Sequence, residues 1–187
     1  MKCTTCKMQN TETRVVPHYH ADLLGAPFDI TLINSVKEVW CVECQKKLST
    51  TIPELEGLLQ AVAWSRAFTS RKLSGEEVRF LRKAVGMKAK AFAEKIEMSP
   101  ENLSRVENGQ KPLGPGSEKL LRFFVLTRML DDDVVAKIGN EQIKKLFDVK
   151  IESTWDPEKR LGYAYKFRGS EDDVSKRHKY EPVAEAA

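Results

Sequence analysis

The chain's four cysteines are Cys3, Cys6, Cys41 and Cys44, arranged as Cys-x2-Cys, 34 residues, Cys-x2-Cys. Two thiolates separated by two residues can turn toward one ion while backbone N–H groups face the sulfurs. Two such pairs supply the four soft ligands of a tetrahedral zinc site. Four sulfurs close the coordination shell and leave no position for water, so the expected ion is a structural Zn2+ and not a catalytic one. A redox role for one pair lacks the βαβ setting of thioredoxin-like proteins. His18 and His20 lie on a predicted strand nearby, as surface or packing residues, because the four sulfurs suffice. The sequence offers no paired carboxylates, no Ser-His-Asp arrangement and no Gly-rich phosphate loop, so no enzymatic activity is expected.

A second set of residues suits nucleic acid. Lys88, Lys90 and Lys111 are candidates for phosphate contacts. Glu101, Asn102, Ser104, Arg105 and Asn108 form the outward side of a predicted short helix capped by Ser99, and all six are candidate DNA-binding residues. Arg105 can pair bidentately with guanine, Asn102 can pair with adenine, and Glu101 can accept from cytosine N4.

These residues need elements to hold them. Around the cysteines, Thr13–Val16, Phe28–Ile33 and Val36–Trp40 are strand-like runs, with a turn at Leu24-Gly25-Ala26-Pro27. Thr51-Ile52-Pro53-Glu54 predicts a helix start, and Leu55, Leu58, Leu59 and Val62 share one face of that helix, extended by Trp64 and Phe68. Thr69-Ser70-Arg71-Lys72 is the candidate linker. Ser74-Gly75-Glu76-Glu77 is a capping box for a helix through Val85 that stops at Gly86. Ala89, Phe92, Ala93 and Ile96 outline a second helix. Ser99-Pro100 opens a third, which buries Leu103 and Val106 and ends at Asn108-Gly109. A fourth starts near Ser117 and buries Leu120, Leu121 and Phe124. Two short helices joined by a tight turn match a helix-turn-helix, whose second helix enters the major groove by its N-terminal residues.

Charge supports that placement. The chain has 187 residues, 31 Lys+Arg against 27 Asp+Glu, and a net charge of +4. That balance excludes a heavily basic nucleic-acid coat. Residues 71–115 hold 10 basic against 6 acidic residues, and the flanking segments are each balanced. The whole excess therefore lies on the predicted helix-turn-helix. An apolar fraction of 41% is enough for packed cores. No run of 18 apolar residues is present, so no membrane span is expected. The first residues, Met1-Lys2-Cys3-Thr4-Thr5-Cys6, do not look like a secretory signal. A reducing cytoplasm is the expected location.

The two Cys-x-x-Cys pairs, with Trp40-Cys41-Val42-Glu43-Cys44, Leu103-Ser104-Arg105-Val106-Glu107-Asn108-Gly109 and Lys119-Leu120-Leu121-Arg122, resemble the MqsA (YgiT-type) antitoxins over roughly residues 1–130. The resemblance implies an N-terminal zinc domain and a C-terminal Xre/Cro-type helix-turn-helix. It also implies a dimeric repressor of its own operon on a palindromic operator, and an mRNA-cleaving toxin as partner. Arg105 matches the family's base-reading arginine. Elsewhere the chain departs from the pattern. Glu101 stands where the family has asparagine, Ala89 where it has glutamine and Lys88 where it has threonine, so the operator sequence does not carry over. A regulator of the same architecture without a toxin is the alternative.

The fold expected is thus α+β: a zinc-binding sheet domain with a connecting helix (1–70), an all-α helix-turn-helix domain (71–130), a C-terminal extension (131–168) and a disordered tail (169–187). In the extension, Asp131-Asp132-Asp133 should cap a short helix and Asn140 another, with Ile143, Leu146 and Phe147 inward. Val149, Ile151, Ser153 and Trp155 then alternate, as do Leu161, Tyr163, Tyr165 and Phe167, which predicts a β-hairpin with one aromatic face. Its own domain, a second subunit or another protein could cover that face.

Overall fold

The computed structural model describes residues 2–21, 25–129, 141, 143–154, 160–169 and 179–183. The fold is α+β, with a β-sheet region that carries the cysteines followed by a helical region. The chain divides into two compact units. One comprises Met1–Leu58 with Leu161–Ala187, and the other Leu59–Arg160. The helical unit is therefore an insertion, in chain order, between two parts of the sheet unit. Among the described residues, no helix is long and apolar enough to cross a membrane.

In the sheet unit, β1 (Thr11–His20) runs antiparallel to β2 (Asp29–Cys41), from Thr11 opposite Cys41 to His20 opposite Thr31. Apart from Phe28, the two apolar runs at Phe28–Ile33 and Val36–Trp40 belong to this single strand β2. A bulge separates them: Val16 faces Val36, but His18 faces Ile33, and Asn34 takes a left-handed φ of 48°. Pro17, which has no N–H to give the ladder, sits at the irregular step.

On its other edge β2 has two neighbours. β3 (Lys47–Thr51) pairs antiparallel with Lys37–Trp40, and β4 (Gly162–Phe167) pairs parallel with Asp29–Leu32. β5 (Tyr180–Val183) closes the order beside β4. Phe28, Ile30, Leu32, Val36, Ala164 and Tyr165 are buried.

Three expectations are corrected here. Thr51 does not cap the connecting helix; it pairs with Lys37 in β3, and α1 runs Leu55–Ala67, with Glu54 left-handed before it. Leu58 and Val62 are buried, but Leu55 is 43% exposed. The predicted hairpin is not formed. Residues 149–154 carry no strand, and Trp155 and the turn at 156–159 lie outside the described residues. The aromatic strand instead joins the open edge of β2. An existing sheet satisfies its backbone and buries Tyr165, which a two-stranded ribbon in water would not do. The tail also contributes structure. Tyr180 packs on Phe167 with ring centroids 5.2 Å apart, and its hydroxyl donates to the Pro53 carbonyl. Burial, aided by the nearby Glu54 carboxylate, holds the Tyr180 hydroxyl well above its ordinary pKa.

The helical unit packs the end of α1 with α2 (Gly75–Ala84), α3 (Ala89–Lys95), α4 (Pro100–Glu107) and α5 (Pro115–Met129). Its core includes Ala63, Ala67, Val78, Leu81, Phe92, Leu103, Val106, Leu121 and Val125. Residues 143–148 are helical. Leu146 is buried there, whereas Phe147, expected inward, is 59% exposed and meets the Phe123 ring. The expected helix at 131–138 and the cap at Asn140 lie outside the described residues.

Candidate metal centre and nucleic-acid interface

The register of β1 on β2 builds the cysteine cluster. Pairing Thr11 with Cys41 lays the start of β1 beside the end of β2. The loop before β1 and the loop after β2 therefore meet, and Val42 N–H donates to the Asn10 carbonyl. The two Cys-x-x-Cys loops fold alike. Cys3 N–H donates to Met8 O and Lys7 N–H to Cys3 O; in the second loop Cys41 N–H donates to Lys46 O and Gln45 N–H to Cys41 O. The residue after each second cysteine, Lys7 or Gln45, is left-handed, with φ of 63° and 54°. That turn brings the next amides back toward the sulfurs.

All four sulfurs lie within 4.8 Å of one another, with 3.4 Å between Cys6 and Cys41 and 3.5 Å between Cys3 and Cys44. Ligands about 2.3 Å from a tetrahedral ion stand about 3.8 Å apart, so the cluster has the dimensions of a four-sulfur site. The electrostatics agree. The amides of Cys6 and Thr5 lower the Cys3 thiol to about 6. Cys6 receives the Met8 amide, yet desolvation and the sulfurs of Cys41, Cys3 and Cys44 outweigh it and push the thiol up to about 12. Cys44 is raised in the same way, with the Lys46 amide opposed by desolvation and by the Cys3 and Cys41 sulfurs. The Cys3 thiolate is favoured while those of Cys6 and Cys44 are resisted, and a bound cation would offset that resistance. The cluster could hold a metal ion. The two histidines stand apart from it: His18 is exposed, and His20 Nδ1 is 3.2 Å from Thr31 Oγ1.

The second candidate site is the α3–α4 pair. Ser74 and Glu77 form the full capping box of α2, and Ser99 Oγ accepts from Asn102 N–H at the start of α4, with Pro100 in the first turn. The turn between α3 and α4 is tight. Met98 N–H reaches Ala93 O at 2.9 Å, and Glu97 is left-handed at φ 52°. Leu103 and Val106 anchor α4 from below. Gly75 lets the first turn of α2 approach its far end, where an added Cβ would stand 2.3 Å from Val106 O and 2.8 Å from Gly109 N.

This places the predicted DNA-facing residues as follows. Lys88 precedes α3 as its N-cap residue, and Lys90 lies in its first turn; both are exposed. Ser99, Glu101, Ser104, Arg105 and Asn108 are exposed, Asn102 is half-buried, and Lys111 is exposed in the loop after α4. Among the described residues, Lys88, Lys90, Arg105 and Lys111 hold no ion pair. Ser99 and Asn108 have structural duties as well: Asn108 Oδ1 accepts from Arg79 Nη2 at 2.6 Å, and its amide donates to Ser104 Oγ.

Sequence reasoning missed the buried charges that hold this face. Glu107 accepts from Arg82 Nε at 2.6 Å and from Arg82 Nη2 at 3.0 Å, with Arg79 also paired to it. Arg66 from α1 forks onto Glu77 and donates to the carbonyls of Arg71 and Lys72. Arg122 pairs with Glu118 and donates to Ala67 O and Arg71 O. Burial lowers the Arg122 pKa against the raising effect of Glu118. The segment 69–72, expected as a linker, is therefore fastened to the helical unit by two arginines. The i, i+4 spacing of Glu118 and Arg122 is a signal available in sequence; the Arg82–Glu107 pair, 25 residues apart, leaves none.

A family model described as a helix-turn-helix domain matches residues 73–136. Neither the curated proteins nor the solved structures gave a match to the chain. The matched segment spans α2 to α5, so a helix-turn-helix domain follows a four-cysteine cluster in this sequence, and it suggests a DNA-binding regulator.

Proposed function

We propose that the protein is a zinc-stabilised, sequence-specific DNA-binding repressor, the antitoxin of a type II toxin–antitoxin pair, acting in the cytoplasm as a homodimer and not as an enzyme. The observation that carries the DNA part is α4: a capped helix on a rigid base, with Arg105 exposed and unpaired on its outer side. In this reading Arg105, Asn102, Ser104 and Glu101 face base edges. Lys88, Lys90 and Lys111 rest on phosphates, which fix register without carrying sequence information. Cys3, Cys6, Cys41 and Cys44 would hold one Zn2+, which supplies a cross-link between the two loops and no reaction chemistry.

Dimerisation follows from the docking logic. One short helix reads few base pairs, and a two-fold pair of modules reads two half-sites one DNA turn apart. The toxin partner and autorepression rest on the resemblance of residues 1–130 to the MqsA pattern. A stand-alone regulator is the second reading. It is favoured by the strands β4 and β5, which complete the sheet unit from residues beyond the reach of that resemblance.

Selection from a random duplex pool at moderate salt tests the proposal. The expected result is an enriched palindrome with half-sites about 10 base pairs apart, centre to centre. Failure to enrich any sequence would refute the sequence-specific reading. Purification of the intact chain from its native host, with mass spectrometry of bound proteins, separates the two readings. A stoichiometric small toxin supports the first, and a chain that purifies alone supports the second.

A further inference from the structure

The sulfur cluster brings cysteines of the two loops close to one another. Cys6 and Cys41 approach to 3.4 Å and Cys3 and Cys44 to 3.5 Å, and both approaches run between the two loops. Each pair also joins residues of unequal exposure, one buried and one less so. Cys44 is exposed and faces buried Cys3; Cys6 is half-buried and faces buried Cys41. A small oxidant meets the more accessible member first and leaves the buried member in reach as the resolving thiol.

We propose that the cluster is an oxidant-responsive site in which a peroxide joins Cys3 to Cys44 and Cys6 to Cys41, releasing the metal while the two loops stay tied. The chemistry balances. Peroxide transfers one oxygen to the Cys44 thiolate, giving a sulfenic acid and hydroxide. The Cys3 thiolate attacks that sulfur, the S–S bond forms, and the sulfenic oxygen leaves as a second hydroxide; both hydroxides take protons from solvent and become water. A second peroxide does the same at Cys6, with Cys41 resolving. Two peroxides are reduced and four thiolates become two disulfides, with four protons drawn from solvent. The ion then lacks ligands and leaves.

The pairing decides the consequence. Bonds within each Cys-x-x-Cys would leave the loops unconnected, as chelation does. Bonds between them span 41 and 35 residues and replace the ion as the cross-link where the start of β1 meets the end of β2. The oxidised form would then keep its sheet, and a thiol reductant with added zinc would restore the starting state. The device rests on the zinc reading for its release step; the pairing does not.

The test uses the full chain, purified reduced, with its metal content measured first. It is treated with hydrogen peroxide beside a metallochromic indicator. Cleavage after Glu43 separates Cys41 from Cys44, and tandem mass spectrometry then assigns the bonds. The expected result is release of one zinc per chain with the 3–44 and 6–41 bonds dominant. The oxidised, metal-free form should also melt above the reduced form stripped by chelator. Bonds 3–6 with 41–44, or sulfinic acids in place of disulfides, would overturn the proposal. Absence of metal at the start would refute the zinc reading, and the bond assignment on the reduced chain would still decide the pairing.

Discussion

Single residues carry unequal weight here. Gly75 has a steric duty, because its missing Cβ is what allows α2 to meet the end of α4 at Val106 O and Gly109 N. Gly75→Ala should therefore cost about 1–3 kcal/mol of stability, by displacing backbone that cannot yield as a side-chain tip does. Thermal melting checks this, and an unchanged midpoint would show that the helices part freely. Glu38 carries a pH dependence. The Lys47 ammonium hydrogen-bonded to its carboxylate, with the Trp40 indole N–H also donating, holds its pKa below the usual 4.5. A depressed folded-state pKa gives stability that is present above 4.5 and lost as pH falls through the folded value. Glu38→Gln should lower the stability of the sheet unit modestly at neutral pH, where the ionised pair contributes, and flatten its further fall below pH 4.5. An equal acid slope in both proteins would assign it to other carboxylates.

At the scale of elements, local chemistry was legible and distant pairing was not. The Cys-x-x-Cys loops, the Ser74 capping box and the Ser99-Pro100 start of α4 each lie within a few residues, so the sequence displays them directly. β4 was visible as an alternating run, but its partner is β2, more than a hundred residues away, and nothing local to Tyr163 or Tyr165 names Ile30 or Leu32. The bulge at Asn34 likewise hid one long strand behind two runs. Charged residues misled in the opposite direction. Arg82 and Glu107 look solvated on their helices and are a buried pair. The basic excess of the helical window thus includes cations already committed inside it, and the outward charge is carried by residues such as Lys88, Lys90, Arg105 and Lys111. The parallel strand yields a direct test. Ending the chain at Arg160 removes β4 and β5 and bares the β2 edge at Asp29–Leu32. That truncation should lower the melting temperature of the sheet unit and promote association. A monomeric, equally stable fragment would show that β4 is dispensable.

At the scale of the molecule, a sheet unit with a four-cysteine cluster and a helical unit with exposed basic residues occupy one chain, and in chain order the second is inserted in the first. If zinc is the cross-link between the cysteine loops, stripping it with a strong chelator under reducing conditions should melt the sheet signal in circular dichroism and leave the helical signal; a sheet indifferent to the chelator would contradict the metal reading. The net charge of +4 is small. Non-specific attraction to DNA should therefore be weak and salt-sensitive, and under the proposed function selectivity comes from base contacts on α4. The most direct measurement is a salt series of binding to the selected operator and to an unrelated duplex, comparing Arg105→Ala and Lys90→Ala with the unaltered chain. Arg105→Ala should lose about 1–3 kcal/mol on the operator and little on the unrelated duplex. Lys90→Ala should weaken both duplexes alike and reduce the salt slope by about one, since one phosphate is no longer neutralised. An Arg105→Ala protein that binds its operator as tightly as the unaltered chain would contradict the assignment of α4 as the helix that reads DNA.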